Sequence, residues 1–192
     1  MSYGAAGLIL AIVFWSALTL VVAGGVVFSV LAVRGGRWMI IAAAAFLLVA
    51  VVMVGLPHPH GPSLLGAIIA LGAVAISAFG GSPAVRAVLA LATRQVEGAA
   101  GGILIEPRDA PAGSEKREVL RGGLTIGILE RIATTASLLA GIPEAIAVVI
   151  AVKGVGRFSE LGASEAQERF IIGTFVSLGW AAVCGALAHL VW

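Results

Sequence analysis

Long apolar runs broken by short polar turns set the pattern of this chain. Four of them, 7–33, 38–56, 63–80 and 170–192, are long enough to cross a hydrocarbon core. Such a core is roughly 30 Å thick and takes about 20 helical residues. The first run is longer than a crossing requires, so tilting, projection or a break near Gly24 and Gly25 is expected. The turn at 34–37 carries two arginines, and the turn at 57–62 carries prolines and histidines. The last run contains no charge.

The stretch from 122 to 160 is less simple. Residues 122–141 are mostly apolar but hold Glu130 and Arg131 in their middle. Pro143 then suits the first turn of a new helix, where its missing N–H costs nothing. That helix is expected from about Pro143 to Arg157 or Glu160, with Glu144 and Lys153 in it. Reading both segments as crossings predicts an all-α integral membrane protein of six transmembrane helices. The alternative is five crossings plus a re-entrant helix at 143–157.

Residues 81–121 differ in composition and divide the chain into three parts. Residues 1–80 hold three transmembrane helices, 81–121 a cytoplasmic or interfacial segment, and 122–192 three more helices with buried charge. Ser82 can cap a helix that has Pro83 at its first position. Val85, Val88, Leu89, Ala92 and Val96 would share one face of it, and Arg86, Thr93 and Glu97 the other. Such a helix can rest on the membrane surface, or it is an extension of the third crossing. Residues 106–118 read as a polar linker.

Composition supports the membrane reading: 60% of the 192 residues are hydrophobic and 11% charged. Soluble domains carry about 25% charged residues. The net charge of +2 implies no nucleic-acid partner. Cys184 stands alone, so no intramolecular disulfide and no CxxC motif is available. The first charge is Arg34, which leaves no basic region ahead of the first run; that run is expected to be retained as a helix.

Charge placement gives an orientation. With six crossings, ten of the twelve lysines and arginines fall in loops on one face. They are Arg34, Arg37, Arg86, Arg94, Arg108, Lys116, Arg117, Arg121, Arg157 and Arg169, and the opposite loops hold none. The positive-inside rule makes the basic face cytoplasmic and both termini extracytoplasmic. Trp38 and Trp192, at helix ends, suit interfacial anchoring.

A charge at the centre of a membrane helix costs about 2.5–3.5 kcal/mol on insertion scales, so it persists when paired or when it lines an aqueous path. The candidate polar path or ion-pair network is Glu130, Arg131, Glu144, Lys153, Arg157 and Glu160. Gly127, Arg131 and Thr135 share one helix face, and Glu130, Thr134 and Ser137 an adjacent one. A Glu130–Lys153 or an Arg131–Glu144 contact is possible, and spacing does not choose between them. In the last run, Gly173, Ser177, Ala181 and Gly185 recur every four residues and permit close helix packing, within the chain or between copies.

Catalytic motifs are absent. His58 and His60 are flanked by prolines and suit a tight turn better than half a metal site. No GxSxG, HExxH or P-loop pattern occurs, and no metal or cofactor is implied.

Three stretches resemble a family of small uncharacterised bacterial multi-pass membrane proteins. They are the IGILER run ending at Arg131, the AIAVVIAVK run ending at Lys153 and continuing as RFSEL from Arg157, and ERFIIGT from Glu168, with Ser177. The resemblance implies that Glu130, Arg131, Lys153, Arg157, Glu160 and Gly173 belong to the family motif. Gly154 departs from it, standing where a serine is expected.

Two functions follow as expectations for a protein of the bacterial inner membrane. One is a transport or channel component with an intramembrane charged path. The other is a non-enzymatic scaffold or accessory subunit, whose partner is a second copy or another membrane protein. An enzyme acting on lipid headgroups has no specific support.

Overall fold

The structure, a computed structural model, describes residues 5–59, 61–99, 123–157 and 164–192. Side chains are described for 5–59, 61–92, 123–155 and 167–192. The described residues form helices and turns with no strand. The helices are α1 (Ala5–Val33), α2 (Arg37–Gly55), α3 (Ser63–Ala99), α4 (Gly123–Leu139), α5 (Ala145–Arg157) and α6 (Ser164–Leu190).

Four of these are long and apolar enough to cross a membrane: α1, α2, the Ser63–Ala92 part of α3, and the Gln167–Leu190 part of α6. Their outward surfaces are apolar as well: Leu20 is 73%, Leu71 70% and Phe175 76% exposed. Water would penalise such extensive apolar exposure, and lipid does not. Helices suit that setting because each satisfies its own backbone. The chain is an integral membrane protein. The 17 residues of α4 span about 25 Å and the 13 of α5 about 20 Å at 1.5 Å per residue.

Helix direction alternates along the chain. At one end of the bundle, Trp15 Nε1 donates to the Pro59 carbonyl at 3.0 Å. Gly66 lies beside Val191 there, and Gly141 beside His189. At the other end, Arg86 donates to the Ala32 carbonyl at 3.4 Å, and Gly123, Lys153 and Arg169 border one cleft. So α1, α3 and α5 run toward this second, basic end, and α2, α4 and α6 run away from it.

The most extensive pairing is α3 with α6. Helices α1 and α2 pack on one flank of that pair and α4 on the other, while among the described residues α5 packs on α4 alone. The main apolar core joins Trp15, Leu18, Leu47, Ile69, Ile76 and Leu187 at the end away from the basic residues. Helix α3 runs past residue 80 and serves both flanks, while 100–122, with the linker reading, lies outside the described residues.

Two local alternatives are decided. Helix α1 does not break at Gly24 and Gly25. Both are contact points: a Cβ at Gly24 would stand 2.8 Å from the Phe46 ring, and one at Gly25 2.8 Å from Ile76. Ser82 does not cap a new helix: α3 continues through Pro83, so the extension of the third helix is the alternative that holds. Proline removes one bond to the carbonyl four residues back, at Phe79. Helical residues on both sides hold the rod together, and Ser82 is left to bond another helix. Helix α5 starts two residues later than expected, with Pro143 and Glu144 in a turn that leads into it.

Candidate functional site: a basic cleft at Arg131

Positions 127, 131 and 135 lie four apart on α4, so one face points at α3 and α6. Arg131 is only 2% exposed. It fits because Gly81 on α3 has no side chain: a Cβ there would lie 2.2 Å from Arg131 Cδ. The guanidinium Nη2 donates to the Ala78 carbonyl at 2.8 Å and to Ser82 Oγ at 3.1 Å. Nη1 donates to Ser177 Oγ on α6 at 3.4 Å. Three of five N–H donors are thus placed, and Nε is buried without a partner.

One turn further along α4, Thr135 Oγ1 lies 2.7 Å from Ser77 Oγ and 3.1 Å from the Ala181 carbonyl oxygen. Ser77 also donates to the Arg131 carbonyl at 3.4 Å. Beyond this layer the helices close. Leu138 sits where a Cβ on Gly185 would meet it at 2.8 Å, and Cys184 and Leu187 are wholly buried.

Glu130 points to the adjacent face and forms an ion pair with Lys153 of α5. The two side chains are 11% and 16% exposed. Of the two pairings that spacing allowed, this one forms. Arg131 does not meet Glu144, which is exposed in the turn before α5.

A cleft of about 370 Å³ opens beside Arg131 at the basic end. Arg86, Arg131, Lys153 and Arg169 line it, with Ser82, Thr174 and Ser177 as polar neighbours and no acidic residue among the described residues. Gly123, Gly127 and Gly173 keep it open. The Thr174 hydroxyl is buried without a partner.

The structure thus brings Glu130, Arg131 and Lys153 together and leaves Glu144 apart. The Arg157 side chain and Glu160 lie outside the described residues. The four-residue stripe on α6 faces inward: Gly173 opposes Val85, Ser177 meets Arg131, Ala181 accepts from Thr135 and Gly185 meets Leu138. At Gly154 an added Cβ would meet nothing within 4 Å. His58 stacks on Phe14, with ring centroids 5.4 Å apart, and its Nδ1 lies 3.0 Å from the Leu56 carbonyl oxygen.

Ser77, Gly81 and Thr174 were not singled out by sequence. The usable signal was the run of small residues Gly80, Gly81 and Ser82, where a helix can receive a large side chain from its neighbour. Compared with known proteins, the chain matches no family model, no curated protein and no solved structure.

Proposed function

We propose that this protein is a transport component of the bacterial inner membrane, with a solute cleft that opens at the cytoplasmic face and reaches Arg131. Kinship with the small bacterial membrane proteins whose motifs it resembles is part of this proposal. The observation that carries it is Arg131 itself. A buried guanidinium held by serine hydroxyls and one carbonyl, at the floor of an open cleft, is costly as mere scaffolding. A structural role alone is served more cheaply by apolar packing. The blind end of the cleft, above Thr135, fits a carrier closed on one side rather than an open pore.

The topology in this reading has six crossings, both termini extracytoplasmic and the basic end cytoplasmic. Alternating helix direction supports it. In this reading helix α5 returns the chain to the basic end, where α6 starts and runs parallel to α4. A re-entrant α5 would leave α6 to begin at the wrong end. The scaffold reading has no site of its own; exposed Val148, Val152 and Val155 on α5 suit lipid equally well.

Thiol access tests the cleft. In a Cys184→Ala background, cysteines at Ser82 and Thr174 should react with a small charged reagent added from the cytoplasmic side. Cysteines at Leu138 and Leu187 should stay inert. Unreactive Ser82→Cys and Thr174→Cys in folded protein would remove the aqueous cleft and the proposal with it.

A further inference from the structure

The cleft is electrostatically one-sided. Among the described residues four cationic side chains line it and no carboxylate does. Glu130 engages one of them, Lys153, and the Ala32 carbonyl accepts from another, Arg86. Arg131 makes no ion pair among the described residues, although it is almost wholly buried. A charge so placed needs a counter-charge, and the cost of leaving it without one is several kcal/mol.

The donors also converge. Nη1 of Arg131 faces Gly127, where even a Cβ would stand 3.2 Å away, so the space over that glycine belongs to the cleft. One Nη1 proton has no acceptor, since the other goes to Ser177. Thr174 adds a hydroxyl that is buried and unpartnered in the wall. Lys153 comes from α5, Arg86 from α3 and Arg169 from α6. A cation would be repelled from this volume. A planar, single-sided anion would leave part of the ring of donors unused.

We propose that the cleft binds a phosphate group, with Arg131 as its floor and Lys153, Arg86 and Arg169 around it. This deepens the solute-cleft reading and rests on it. A tetrahedral oxyanion offers acceptors on every side and suits donors arriving from four helices. Arginine contributes a planar fork and lysine a point charge, which is how phosphates are commonly held. At about 370 Å³ the volume lies at the small end of ligand sites. The phosphate belongs to a soluble anion entering from the cytoplasm or to a lipid headgroup entering from the inner leaflet.

Both sources are tested on the full chain purified in neutral detergent, by the shift in thermal unfolding. The probes are inorganic phosphate, and phosphatidic acid with diacylglycerol as its phosphate-free control. Stabilisation by phosphate assigns a soluble anion. Stabilisation by phosphatidic acid but by neither phosphate nor diacylglycerol assigns a headgroup. Arg169→Gln at the exposed mouth, and Lys153→Gln, should each weaken the effective probe about tenfold or more, the loss of one charge-assisted hydrogen bond. No shift from either probe, or undiminished binding in both variants, overturns the proposal. Thiol access at Ser82 and Thr174 is read on the same preparation. Reactive cysteines without phosphate binding would leave the solute cleft standing and remove only its ligand.

Discussion

The two flanks of the α3–α6 pair are joined in different ways. On one side, apolar side chains set against glycines join α1 to α2, as Phe46 is against Gly24, and α1 to α3, as Ile76 is against Gly25 and Val22 against Gly72. On the other, α4 is held by hydroxyls, carbonyls and a buried guanidinium, and α5 by an ion pair. Lipid supplies no hydrophobic drive between helices, so each flank relies on packing or on hydrogen bonds. Apolar contacts can shift by a few tenths of an ångström at little cost. The polar flank cannot shift without leaving a charge unsatisfied. The flank that carries the cleft is therefore the one held by direction-dependent bonds.

One substitution on each flank should tell the two apart most clearly. Gly81→Ala drives a methyl into the stem of Arg131 and should cost about 3 kcal/mol or more, from overpacking and a displaced buried charge. Gly24→Ala meets only the edge of a ring that can rotate. Its cost should fall within about 1 kcal/mol of zero, because alanine regains up to that much helix propensity. Unfolding of both variants in mixed micelles measures the difference, and equal effects would mean that the flanks do not differ.

Next in size is the ion pair. Lys153→Met leaves Glu130 without its partner and should destabilise by about 2 kcal/mol. Replacing both residues with apolar ones should recover most of that loss. A double-mutant cycle reads the coupling, and additive effects would show that α5 is not held by this contact.

Thr135→Val removes the hydroxyl that joins α4 to Ser77 and Ala181. Interhelical hydrogen bonds in membranes average about 0.6 kcal/mol and reach about 1.7, so about 1 kcal/mol is expected in the same unfolding assay. The smallest effect should come from Gly154→Ser, which adds a hydroxymethyl group where an added Cβ meets nothing within 4 Å. It should change stability by no more than about 0.5 kcal/mol. A larger change would mean that something outside the described residues meets position 154.

What sequence alone determined is the membrane and most of the helices. Length and uninterrupted apolarity suffice there, because lipid forces the backbone to bond within each helix whatever the neighbours are. The bounds of α1 and α2 fall within two residues of the apolar runs for that reason. Sequence also marked Glu130 and Arg131, since charge inside an apolar run is costly wherever it ends up. It left open whether Pro83 starts or continues a helix and whether α1 tilts, projects or breaks at Gly24–Gly25, because proline and glycine mean different things in water-facing turns and in packed membrane helices. Tertiary structure alone decided what Arg131 meets. Gly81, Ser82 and Ala78 lie about fifty residues away along the chain, and Ser177 a similar distance on the other side. Small residues look alike in a sequence whether they pack on each other or make room for a guanidinium. Only the helices' relative placement turns one of those cases into a cleft.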